Sequence, residues 1–215
     1  MILPTRDLEV QLLERHTLVV GLDEVGRGAL AGPVVVGVAV VNRGTGPAPE
    51  GLRDSKLLSA AQRSQLLPRV ARWAAALGIG QAEAAEIDAV GIMAAQRRAA
   101  LRALHDAGLT DEELRAGAAI VDGAHNWLRG DLFEPSADFG QVEVRVKADA
   151  TCSVVAAASV AAKQYRDALM TRLPDPGYGF ARHKGYGAAE HIAALGALGP
   201  GEHHRRSWHL PGVVA

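Results

Sequence analysis

Residues 34–41 form a nearly continuous apolar run, the pattern of a strand covered on both faces. Shorter apolar runs at 17–22, 74–82, 118–121 and 142–146 predict four further strands. The rhythm changes between them. Ser59 followed by Gln62 has capping-box spacing and predicts a helix running to about Arg72. Ile92, Ala95, Ala99 and Ala103 recur on one side of a second predicted helix, 87–105, which Gly108 can end. A third helical segment, 151–171, begins rich in Ala and Ser, and small residues there permit close packing of helix on sheet. Residues 42–51 read as a Gly- and Pro-rich loop, and Pro174-Asp175-Pro176-Gly177 breaks the chain before a short His-rich segment. Strands that first cluster and then alternate with helices predict an α/β fold, a mixed sheet with helices on its faces.

Composition narrows this picture. A chain of 215 residues, 48% hydrophobic and 22% charged, suits one globular domain with a small appendage. Aromatics make up only 4%, so Ala and Val carry the core. The formal net charge of −1 provides no global basic field, so a polyanion would need a local patch or recruited cations. A single cysteine, Cys152, excludes an internal disulfide framework and reads as a small buried helix residue. No stretch suits a membrane span, and residues 1–7 lack the apolar core of a secretory signal; the expectation is a cytoplasmic protein with no membrane partner.

Candidate chemistry resides in four acids. Asp23 and Glu24 follow the first strand, Asp122 follows 118–121, and Asp149 follows 142–146. Acids at successive strand ends can converge, which is unfavourable unless protons or a divalent cation neutralise them. Oxygen ligands favour Mg²⁺ or Mn²⁺, and two such ions about 3.5–4 Å apart support in-line phosphodiester cleavage. Side chains alternate along a regular strand, so Asp23 and Glu24 can share a pocket only if the strand ends or bulges there. The adjoining Gly26-Arg27-Gly28 makes such a deformation inexpensive. Each acid also has an ordinary reading: Asp23-Glu24 and Asp122-Gly123 as turns, Asp149 as a helix cap. The repeated placement favours a site. There is no Gly-rich phosphate loop ending in Lys-Ser/Thr, no Cys pair for zinc and no Gly-x-Ser-x-Gly elbow. His203, His204 and His209 beside Arg205 and Arg206 read as a solvated or anion-facing patch.

An ordered set of short motifs spans most of the chain: residues 21–28 and 31–34, Asp54-Ser55-Lys56-Leu57-Leu58-Ser59, Ile87-Asp88, Val121-Asp122-Gly123, Lys147-Ala148-Asp149, residues 156–163, Tyr178-Gly179-Phe180, His183-Lys184-Gly185-Tyr186-Gly187 and His204-Arg205-Arg206-Ser207. Together they resemble bacterial ribonuclease HII, the type 2 ribonuclease H family. The resemblance implies a ribonuclease H-like catalytic core over 1–172 with a small helical, substrate-binding C-terminal extension over 173–215. It also implies two-metal endonucleolytic cleavage of the RNA strand of RNA–DNA hybrids, and incision 5′ to single ribonucleotides in duplex DNA.

By position, Asp23, Glu24, Asp122 and Asp149 match the family's metal-binding acids. Gly26, Arg27 and Gly28 match the loop that reads the ribose 2′-hydroxyl, and Tyr186 matches the tyrosine that packs on the neighbouring deoxynucleotide. Arg27 would contact phosphate or brace the acids. Lys56 and Lys184 are candidate phosphate contacts or simply solvated lysines. From Tyr178 onward four Lys/Arg face two Glu, a local +2 (4 − 2), with five histidines. Ala148, Gly91, Ala188 and Trp208 depart from the commonest family residues, and Gly91 puts one polar backbone contact in doubt. Residues 210–215 show no clamp-binding aromatic pair, and a monomer is expected. The alternative is a catalytically weak hybrid-binding module.

Overall fold

The computed structural model describes residues 3–130 and 136–213, so residues 1–2 of the leading segment and 214–215 of the tail lie outside the described residues. In chain order the elements are α1 (Asp7–Leu13), β1 (Leu18–Val25), β2 (Val34–Asn42), a 3-10 turn (Ser55–Leu57), α2 (Ala60–Trp73), β3 (Ala76–Ala82), α3 (Ala84–Val90) and α4 (Ile92–Asp106). There follow α5 (Asp111–Ala116), β4 (Ala118–Asp122), β5 (Gln141–Arg145), α6 (Ala148–Thr151), α7 (Ser153–Arg172), α8 (Phe180–His183) and α9 (Ala189–Leu198). Among the described residues the strands form one sheet in the order β3-β2-β1-β4-β5. The first three strands pair antiparallel, whereas β4 and β5 run parallel to β1. This is the mixed sheet flanked by helices that the sequence predicts.

Glycine sets the layer spacing. On one face, a Cβ at Gly21 would lie 2.5 Å from the Val154 carbonyl carbon, and one at Gly37 would lie 2.3 Å from the Ala158 oxygen. The Ala-rich start of α7 therefore rests directly on β1 and β2. On the other face Gly78 and Gly80 admit α4, where a Cβ would come within 2.0 Å of the Ala103 and Ala99 oxygens. Both faces of β2 are covered, and Val34 to Val41 are buried throughout.

One predicted helix is broken and another starts two residues late. Helix 87–105 divides into α3 and α4 at Gly91, whose φ of 79° ends one helix and starts the next; that left-handed region is open to glycine at little cost. Helix 151–171 forms as the unbroken α7 but starts at Ser153, because Cys152 is extended, bridges to Thr5 and divides α7 from the single turn α6 before it. Cys152 is buried as expected, but between helices. The Ser59–Gln62 capping box forms in full.

Beyond α7 the chain folds back across the loop between β1 and β2. Tyr178, Phe180, Leu195 and Leu210 bury against Ala31 and Met170. The backbone of residues 203–205 bonds to Leu30 and Gly32. Asp88 in α3 accepts from the Arg206 and Ser207 amides and from the Ser207 hydroxyl, tying this segment to the opposite helical layer.

Candidate metal and nucleic-acid site

β1 does not end before its acids. It continues in register to Val25, with Asp23 opposite Gly37 and Glu24 opposite Val36. Alternation therefore points the two carboxylates to opposite faces, correcting the expectation of a strand end or bulge. Asp23 shares the α7 face with Val19 and Gly21 and is 3% exposed. Asp122, at the end of β4, follows Ala118 and Ile120 on that same face. Asp149, 3% exposed, lies in the one-turn helix that leads into α7. Glu24 faces the α4 layer at the rim of the sheet. Both β1 acids nonetheless border one cleft of about 430 Å³, shared with Gly26, Arg27, Lys56 and Tyr186.

The cluster is short of positive charge. Burial, then the neighbouring charges of Glu24, Asp122 and Asp149, push the Asp23 carboxyl up to about 8, against a hydrogen bond to Ser159 that works the other way. Burial likewise raises Glu24 to about 7, opposed chiefly by Arg27, whose guanidinium stands 3.9 Å away. Glu24 Oε2 is buried without a hydrogen-bond partner. Asp122 is raised by burial although the Ala148 amide donates to it at 2.6 Å. Lys56 donates to Asp149 at 3.1 Å; burial alone would lower its pKa, but the Asp149 bond and charge raise it.

Among the described residues no three His, Cys, Asp or Glu side chains stand close enough to form a ready-made metal cage. Asp23 and Glu24 point to opposite faces of β1, which keeps them from one tight cage. The donors nevertheless fit a hard divalent ion, since all are carboxylate oxygens, two are strongly destabilised as anions and one oxygen lacks a partner.

Beside the acids, the loop 26–28 and Tyr186 are joined: the Gly26 amide donates to the Tyr186 hydroxyl at 3.2 Å. Gly26 has a φ of 86°, and a Cβ there would lie 2.0 Å from Arg166 Nε, whereas a Cβ at Gly28 would meet nothing within 4 Å. Arg27 is half exposed and also touches the Met93 sulfur. Its position beside Glu24 matches the bracing alternative. Lys184 is not brought into the cleft; its ammonium is folded onto the Thr171 hydroxyl and the Ala181 carbonyl.

Reading the tail as a solvated basic patch is corrected for two of its residues. His204 is 1% exposed and Arg205 fully buried. His204 accepts from the Gly201 amide through Nδ1 and meets His191 Nε2 at 2.9 Å, while His191 Nδ1 meets the Tyr186 carbonyl. With both rings neutral this is a continuous donor chain ending on Tyr186. Burial, then His191, lowers His204 to about 4. Sequence reasoning also missed Arg166 and Arg205 as organisers of the loop. Neither carried a local signal of burial, since Arg166 lies in the partly exposed, charge-bearing second half of α7.

The Ribonuclease HII family profile matches residues 20–210. A ribonuclease HII of Thermus thermophilus is 45% identical over 201 residues, covering 93% of this chain and 90% of its own. Among solved structures, ribonuclease H2 of Pyrococcus horikoshii OT3 superposes with a TM-score of 0.66 at 24% identity, covering 90% of this chain and 94% of its own. Bst-RNase HIII in complex with Mn²⁺ gives 0.60 at 19%, covering 91% and 67%. These two show the shared fold.

Proposed function

The chain belongs to the ribonuclease HII family, a family of hydrolytic nucleases, and from that premise we propose that it cuts the RNA strand of RNA–DNA hybrids and incises 5′ to single ribonucleotides in duplex DNA. The observation that carries this reading is the buried, cation-poor acid cluster, with Asp23 held to about 8 and Glu24 to about 7. Asp23, Glu24, Asp122 and Asp149 would hold Mg²⁺ or Mn²⁺. Two such ions, when bound, neutralise the acids and stabilise charge on the attacking and leaving oxygens of phosphodiester hydrolysis. The cut leaves 5′-phosphate and 3′-hydroxyl ends.

The remaining work is done by the chain's own groups. A 2′-hydroxyl both donates and accepts and is the direct chemical difference between RNA and DNA. The open side of Gly28 lets backbone approach a sugar without a side chain in the way. Tyr186, 37% exposed and fixed through Gly26, offers a flat surface to the adjoining deoxynucleotide. Lys56 adds positive charge beside Asp149, and Lys184 would reach a phosphate only after leaving Thr171. Residues 1–172 act as the catalytic core and 173–215 as the substrate-binding extension. A monomer working in the cytoplasm in ribonucleotide removal completes the reading; among the described residues no helix is long and apolar enough to cross a membrane.

The test is cleavage of a labelled DNA duplex carrying one ribonucleotide, and of an RNA–DNA hybrid, in Mg²⁺ and in Mn²⁺. Asp122→Asn should abolish both cuts with an unchanged circular dichroism spectrum; wild-type turnover would remove Asp122 from the site. The spacing of the acids favours one rival, a hybrid-binding module with weak catalysis. Tight hybrid binding without nicking in either metal would decide for it.

A further inference from the structure

The two largest fully buried side chains are arginines, Arg166 of α7 and Arg205 of the C-terminal segment. Among the described residues, every hydrogen bond their guanidiniums make goes to a backbone carbonyl. Arg205 donates to Gly26 and Arg27 at 2.6 Å each, and to Gly32 at 3.1 and 3.3 Å. Arg166 donates to Pro33, Lys184 and Ala31 at 2.8, 2.9 and 3.2 Å. Arg166 also lies 5.4 Å from the centroid of the Tyr186 ring, and Arg205 lies 4.7 Å from that of Trp208.

Two neighbouring buried cations without a carboxylate bond are costly to keep. Burial, then Arg166, lowers Arg205 to about 9, so it still carries its charge at neutral pH. General stability does not require this arrangement, since apolar side chains of similar volume fill a core at lower cost. What the pair achieves is geometric. Arg205 grips one end of the loop, at Gly26 and Arg27, and Arg166 grips its far end and the backbone of Lys184, two residues before Tyr186. Only a planar fork with five donors can span acceptors spread this widely.

We propose that Arg166 and Arg205 are positioning residues that set selectivity for a ribonucleotide, by fixing the spacing between the loop 26–28 and the Tyr186 ring. The inference rests on the reading of that loop as the 2′-hydroxyl reader. Arg205→Lys keeps the charge but cannot bridge Gly26, Arg27 and Gly32 together; Arg166→Lys does the same at the other end.

The experiment measures Kd by fluorescence anisotropy, in EDTA, for a DNA duplex and for the same duplex with one ribonucleotide. Wild type should prefer the ribonucleotide by about fivefold or more, the worth of one hydrogen bond. Either lysine variant should bring the ratio below about twofold while affinity for the all-DNA duplex holds. A merely structural role would lower the melting temperature and leave the ratio intact, and that result overturns the inference. If wild type shows no preference, it is the reading of the loop that fails. Should Arg205→Lys not fold, Arg166→Lys carries the comparison. If neither folds, the arginines are structural and the inference falls.

Discussion

Replacing Asp23 by asparagine should stabilise the metal-free protein while destroying metal binding. In the folded chain the Asp23 carboxyl is pushed to about 8 by burial and by its acidic neighbours, from an ordinary value of 3.8. A folded state that holds its proton above the pH at which the unfolded state releases it loses stability as pH rises from about 4 to about 8. At about 1.36 kcal/mol per unit, the full span sets an upper bound of about 6 kcal/mol. Glu24 and Asp122 take up protons in the same range, and the coupled cluster relaxes. A working value is on the order of 2–3 kcal/mol, or about 4–12 °C in Tm for a chain of this size. Asparagine preserves the shape and carries no charge to desolvate. Asp23→Asn should therefore melt above wild type at pH 8 in EDTA, and the gap should close toward pH 5. Mn²⁺ should raise the wild-type Tm and leave the variant unmoved. Differential scanning fluorimetry across pH, with and without metal, reads all of this. A variant that melts at or below wild type at pH 8 in EDTA would refute the electrostatic reasoning.

Other parts of the fold make separate commitments. Gly80→Ala puts a methyl group 2.0 Å from the Ala99 carbonyl oxygen and should cost about 3 kcal/mol or more, seen as a lower urea midpoint, because backbone rather than a flexible side chain must yield. Asp88→Ala removes three hydrogen bonds that outweigh burial and hold its carboxyl below the usual range. It should cost about 1–3 kcal/mol and speed limited proteolysis near residues 199–213; an unchanged cleavage map would contradict that tie. His204 is neutral when folded and titrates near 4, against 6.5 for the free side chain, so its contribution is complete above pH 6.5 and lost as pH falls toward 4. Urea titrations at pH 7 and 4.5 should differ by at most about 3 kcal/mol from this group, and His204→Gln should reduce the difference.

How much of this was legible beforehand varied with the kind of information each feature carries. The continuous run in β2, the Ser59–Gln62 cap and the small residues of α7 are local signals, and each produced the element it predicts. The break at Gly91 was signalled less clearly, because one glycine inside a helical pattern is tolerated as often as it interrupts. Asp23 and Glu24 show the limit of local reasoning about a site. Their alternation was readable, but whether β1 stops before them depends on how far β2 continues its pairing, and that is a property of the partner strand. The segment 203–206 shows a stronger limit. Two histidines and two arginines in a row look solvated, yet His204 and Arg205 are buried because the acceptors they serve, at His191, Gly26, Arg27 and Gly32, come from elsewhere in the chain.

The buried charges nearest the loop 26–28 form two groups. One is acids without sufficient cations, and the other is Arg166 and Arg205, bonded only to carbonyls. Were they in contact, Arg166 or Arg205 would neutralise Asp23 and Glu24, and the carboxylates would have no reason to accept a metal ion. Holding the arginines on the carbonyls keeps the acids destabilised as anions. Exchanging the acids for a closed salt bridge would favour the empty protein's stability over its capacity to bind metal, which is the balance that Asp23→Asn measures.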